Sequence, residues 1–159
     1  MTLKLLGGDL VEIKDQLDPD SSQINHLYVD YLPKIGFFVL KNHYFEASDY
    51  SLVNDKSGKI TTVRGFPKTS PSGKYLLTFG PDLASVSDFS GIQIFGFPNG
   101  RFAKMFENEW QGYDAHTPIW IDEKSVDVTL LPDEFEEDVK PKIAKLRYNN
   151  GEWSELKEN

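Results

Sequence analysis

The sequence predicts an all-β fold, an antiparallel meander of blade-like hairpins in an open stack or sandwich. Three observations predict it: runs rich in β-branched and aromatic residues, glycine turn signals between them, and recurrence of the same unit along the chain. Residues 35–45 form the first such run, and 50–54 alternate apolar and polar. Asp55-Lys56-Ser57-Gly58-Lys59 then supplies a glycine suited to positive φ, and 60–64 return antiparallel. The grammar repeats at 92–97, Pro98-Asn99-Gly100-Arg101 and 102–106. It repeats again where 143–148 and 153–156 flank Asn149-Asn150-Gly151-Glu152. Thr69-Ser70-Pro71 leads into a strand at 75–79, and Thr117-Pro118 leads into strands at 119–121 and 126–130. Residues 21–32 admit one short helix, with Ile24, Leu27, Tyr28, Tyr31 and Leu32 on one face behind caps at Ser21 or Ser22. The strand reading is preferred there because a meander follows at once. Strand alternation selects Phe37, Val39, Leu52, Leu76, Phe79, Ile94, Ile119 and Val128 as core.

The chain of 159 residues is the length of one ordinary domain, so residues 1–159 are read as a single β domain with degenerate repeats. With 39% hydrophobic and 13% aromatic residues it is too apolar for a disordered acidic tail, despite a net charge of −8. The absence of cysteine removes a disulfide framework, a thiol nucleophile and thiolate-held zinc. Residues 1–6 are too short an apolar patch for a signal peptide, and no later run is long enough to span a bilayer. A cytoplasmic protein is therefore expected, the alternative being a periplasmic one whose signal has been removed.

Two segments carry a resemblance. Leu52-Val53-Asn54-Asp55-Lys56-Ser57-Gly58-Lys59 and Ser70-Pro71-Ser72-Gly73-Lys74-Tyr75-Leu76-Leu77 look like the blade of a β-propeller repeat. In such a blade a strand, a glycine turn and a strand precede a Ser-Pro-Asp-Gly-Lys-type turn. The turn glycines and the prolines Pro71 and Pro118 recur at intervals of roughly 40 to 50 residues, as blades of four strands do. The resemblance covers about two and a half units, from Phe37 onward. Ser72 stands where an acid is usual, and closed propellers need four or more blades. The implied arrangement is an open stack.

No phosphate-cradling loop, nucleophile elbow or metalloprotease helix motif occurs. His26, His43 and His116 lie too far apart in sequence for a local metal site, and no metal or other cofactor is expected. The one local reactive arrangement is Asp114-Ala115-His116, where strand spacing places a carboxylate beside an imidazole in the manner of a general base and its orienting acid. Its alternative is a polar loop before Thr117-Pro118. A hydrolase or carbohydrate-active protein using Asp114, His116 and the acidic loops is thus one function class. Non-enzymatic binding is preferred.

Charge is distributed regionally. Between 105 and 139 there are eleven acidic residues, among them Glu107, Glu109, Asp114, Asp133, Glu134, Glu136, Glu137 and Asp138, against Lys124 alone. Between 55 and 104 seven bases face three acids. Trp110, Tyr113 and Phe135 are set among the acids, and Trp120 and Phe106 are read as core. Rings supply buried anchors at interfaces and like charges steer a partner of opposite sign. Glu107, Glu109, Trp110, Tyr113, Asp114, Asp133, Glu134, Phe135, Glu136, Glu137 and Asp138 are therefore the candidate partner-binding residues. The partner is expected to be a basic protein, while nucleic acid and anionic membrane are disfavoured by the same field. In size, charge and aromatic loops the chain is similar to small acidic bacterial immunity proteins, which neutralise a cognate toxin. That likeness implies an inhibitor of a basic toxin such as a nuclease. A third class is a self-associating half-propeller whose open edges meet a second copy.

Overall fold

The computed structural model describes residues 1–16, 23–44, 47–80, 89–132 and 140–156. It is built almost wholly of antiparallel strands. A short hairpin of β1 (Thr2–Lys4) and β2 (Leu10–Glu12) precedes three four-stranded meanders. The first sheet is β3 (Asn25–Leu32), β4 (Phe37–His43), β5 (Ser48–Asn54) and β6 (Ile60–Val63). The second is β7 (Lys68–Thr69), β8 (Leu76–Phe79), β9 (Gly91–Gly96) and β10 (Ala103–Glu109). The third is β11 (Tyr113–Asp122), β12 (Ser125–Pro132), β13 (Lys142–Asn149) and β14 (Glu152–Glu155). Within each sheet the strands lie side by side in chain order, so every pairing is made by neighbours in sequence.

All three glycine hairpins form where the sequence places them. The third is the tightest: Asn149 pairs with Glu152, and Asn150 and Gly151 have φ of 51° and 93°. Positive φ at both central residues makes it the mirror-image turn whose twist matches the flanking strands. At the first, Asn54 Oδ1 accepts the N–H of Ser57 at 2.9 Å and the hydroxyl of Ser57 at 2.9 Å, fixing the chain ahead of Gly58.

Side-chain alternation stacks the sheets. Phe37, Val39, Tyr50 and Leu52 meet Leu76 and Phe95 between the first and second sheets. One residue on, Leu77 joins Ile92 and Ile94 on the opposite face, against Val126, Val128, Leu130 and Leu146 of the third sheet. Both faces of the second sheet are thereby covered, and every residue of β9 is buried. The outer face of the first sheet is capped by the β1–β2 hairpin, where Leu3 and Ile13 pack on Leu40 and Val53.

A carboxylate ties the second and third sheets at their turns. Glu123, in the β11–β12 turn, accepts the hydroxyl of Ser70 at 2.5 Å and the backbone N–H of Ser72 at 2.9 Å. Lys34, in the β3–β4 turn, donates to the carbonyl of Pro71 at 2.6 Å. The Ser70-Pro71-Ser72-Gly73-Lys74 turn is thus held from both neighbouring sheets.

Residues 25–32 form the strand that was preferred over a helix, paired with β4 through a register shift between Tyr28 and Asp30, while residues 21 and 22 lie outside the described residues. The structure corrects two other expectations. Ile119 is 54% exposed, not core, and Phe79 is only partly buried. Residues 113–118, moreover, are not a loop: β11 begins at Tyr113 and runs through Thr117-Pro118 as the edge strand of its sheet. An edge strand tolerates proline because one row of its N–H groups has no ladder partner. A register shift between Ala115 and Thr117 then turns Pro118 and Trp120 inward and Ile119 outward.

Candidate functional site

The acidic candidates on β10 and β11 are not equivalent. Glu107 accepts a hydrogen bond from the Gln93 amide and an ion-paired one from Lys104 Nζ at 2.7 Å. Lys104, then Gln93, hold its carboxyl below the usual range. Its charge is largely answered within the fold. Glu109 is exposed at the end of β10.

Trp110 and Tyr113 close the turn from β10 to β11, with the Tyr113 N–H donating to the Trp110 carbonyl at 3.1 Å. Trp110 is only 9% exposed and belongs to the core between the second and third sheets. Its indole N–H donates to Glu155 at 2.9 Å. As a protruding anchor Trp110 is therefore corrected to a core residue. Tyr113 is half-buried, with Lys142 Nζ 3.9 Å from its ring centroid. Asp114 is half-buried and faces Leu131 in register. Asp133, Glu134, Phe135, Glu136, Glu137 and Asp138 lie outside the described residues. The strand that precedes them ends at Pro132, directly opposite Tyr113.

Trp120, expected in the core, is partly buried and packs its ring 5.8 Å from that of Trp153 and 6.4 Å from that of Tyr75. Phe106 likewise packs against the core. His116 is exposed, with Nδ1 2.8 Å from its neighbour Thr117 Oγ1. A different histidine contacts a carboxylate: His26 Nδ1 lies 3.2 Å from Asp15 Oδ1, which also accepts the His26 backbone N–H at 2.8 Å. Those hydrogen bonds, the backbone one foremost, hold the Asp15 carboxyl below its ordinary value. Among the described residues no three His, Asp or Glu side chains converge as metal ligands.

The antiparallel connectivity gives the stack two unlike ends. Glu109, Trp110, Tyr113, Asp114 and Pro132 stand at one end, from which the segment 133–139 continues. At the other end the three glycine hairpins flank two clefts, which the sequence reading missed. One, of about 610 Å³, lies between the first and second hairpins and is lined by Lys59, Arg101, Phe37, Phe97 and Phe102 among others. The second, of about 280 Å³, lies between the second and third hairpins and contains Lys74, Tyr75 and Tyr148. Burial, then Tyr148, pushes the Tyr75 phenol up to about 12. Phe97 lines both clefts. A signal for the cations of these clefts was present in the sequence: Gly58-Lys59, Gly73-Lys74 and Gly100-Arg101 each put a cation directly after a turn glycine.

No protein-family model matches the chain, and no curated protein and no solved structure is detectably similar to it.

Proposed function

We propose that the chain is a non-enzymatic protein-binding domain whose contact surface is its acidic end, and most concretely an inhibitor or immunity protein that occludes a basic toxin such as a nuclease. The observation that carries this reading is the charge pattern, eleven acids against one base within residues 105–139, although Asp122 and Glu123 stand at the opposite end of the stack and Glu107 is paired with Lys104. The placement of Glu109, Asp114 and Pro132 at one end of the stack supports it, because it roots the most acidic segment beside two further carboxylates. A concentrated field of one sign accelerates encounter with a basic partner and is screened over roughly 8 Å at physiological ionic strength.

The test is kinetic. Affinity capture with the full chain retrieves a basic partner, and association is followed at two salt concentrations. Neutralising Glu109, Glu134, Glu136, Glu137 and Asp138 to their amides slows association and flattens its salt dependence while the thermal midpoint holds. Tyr113→Ala or Phe135→Ala acts on dissociation instead, costing about 2 kcal/mol of affinity where the ring is an anchor. Unchanged rates in all these variants, with the partner still bound, would overturn the assignment of this surface.

A second reading, self-association, is favoured by the outer face of the third sheet. Ile119, Ile121 and Ile143 are 54%, 56% and 53% exposed there, and no further sheet covers them among the described residues.

A further inference from the structure

The larger cleft is chemically unlike the rest of this acidic chain. Its volume, about 610 Å³, falls in the range of small-molecule sites. Lys59 and Arg101 line it from the two hairpins, both residues are exposed, and no carboxylate is among the described residues that line it. Two cations facing one recess without a counter-charge concentrate positive potential there, since low-dielectric walls focus the field.

Three phenylalanines, Phe37, Phe97 and Phe102, share the remaining lining with Asn54, Ser57 and Thr61. Phe102 lies 4.8 Å from Phe37 and 5.3 Å from Phe97, centroid to centroid, and stacks on Phe95 at 5.3 Å with the planes 10° apart. Phe97 remains 39% exposed, so a large apolar ring stands uncovered within reach of two cations. Thr61 adds a hydroxyl on the first-sheet side. Inorganic phosphate alone would leave the rings wet, and a neutral hydrocarbon would leave the cations unanswered. A ligand that combines both features answers the cations and covers the rings together.

We propose that this cleft binds an organic anion with a flat aromatic body, its carboxylate, sulfonate or phosphate held by Lys59 and Arg101 and its ring system stacked against Phe97 and Phe102. Anions with two adjacent oxygens suit the guanidinium fork of arginine, and offset ring stacking suits the phenylalanines. The site lies at the end of the stack opposite Glu109, Asp114 and Pro132, so it stands or falls independently of the protein-binding reading.

The test uses the full chain and probes of one shape. 2-Naphthoate, naphthalene-2-sulfonate and 2-naphthyl phosphate are titrated by calorimetry against neutral 2-naphthol and against inorganic phosphate, with amide chemical shifts of Thr61, Gly100 and Ala103 reporting location. The three naphthyl anions are expected to compete for one site, with 2-naphthol and inorganic phosphate each weaker by roughly tenfold or more. Lys59→Gln with Arg101→Gln removes that advantage and leaves 2-naphthol binding unchanged; both residues are exposed, so the fold is retained. Phe97→Ala weakens all the naphthyl probes together. Equal binding of naphthyl anions by wild type and the double variant would overturn the proposal. So would 2-naphthol binding as tightly as the anions, or shifts that map elsewhere, or no binding at millimolar concentration.

Discussion

Glu123 ties the turns of two sheets together through a single side chain. Burial pushes its carboxyl up, but hydrogen bonds from the Ser70 hydroxyl and from the Ser72 and Lys74 N–H groups outweigh burial, so it titrates below its ordinary 4.5. A carboxyl depressed in the folded state stabilises the fold above its unfolded value, and that contribution is lost as pH falls through the folded one. Glu123→Gln should therefore lower stability at neutral pH by up to about 1 kcal/mol, since water screens the partly exposed carboxyl, and the difference from wild type should shrink below about pH 4. Thermal melts of both proteins across that range provide the check. The turn's position was legible in Ser70-Pro71-Ser72-Gly73-Lys74. Its partner was not, because Ser70 and Glu123 are 53 residues apart and nothing local selects one acid from eleven.

At the scale of elements, hairpins were the most readable feature and edge strands the least. A hairpin declares itself through glycine or asparagine at positive φ, a requirement satisfied within a few residues. β11 declares nothing of the kind. Thr117-Pro118 reads as a break, yet an edge strand accommodates it, and the adjacent register shift reverses which of Ile119 and Trp120 faces the core. Both residues are apolar, so alternation alone could not choose between them. The same logic separates Leu146, fully buried against the second sheet, from Ile143, three positions earlier on the opposite face. Leu146→Ala is expected to cost about 2–5 kcal/mol, whereas Ile119→Glu with Ile143→Glu should leave the monomer's stability nearly unchanged. Sedimentation of wild type and the double variant over a range of concentrations decides whether a second copy uses that face. Concentration-dependent mass in the wild type alone supports self-association, and identical monomers exclude it.

Over the whole molecule, composition and repetition were enough to indicate an all-β stack, because recurring glycine turns and alternating strands are properties of the chain itself. The regional charge was equally plain. What the sequence did not disclose was the stacking that brings Lys59 and Arg101 to one cleft and withdraws Trp110 into the core. Those outcomes depend on how sheets meet, and contacts between sheets join residues tens of positions apart.

The layered order has a kinetic side. Among the described residues the second sheet has a full sheet packed on each face, whereas the first carries a thin hairpin on one side and the third presents isoleucines outward. Amide hydrogens escape through local opening, and opening costs most where two packed layers must separate at once. Deuterium should therefore enter β3 and β14 first and reach Leu77, Ile92 and Ile94 last, at a rate approaching that of global unfolding. Exchange in β9 as fast as in β3 would contradict this. The innermost layer thus acts as a clock for the entire fold, registering only those excursions in which its neighbours come away.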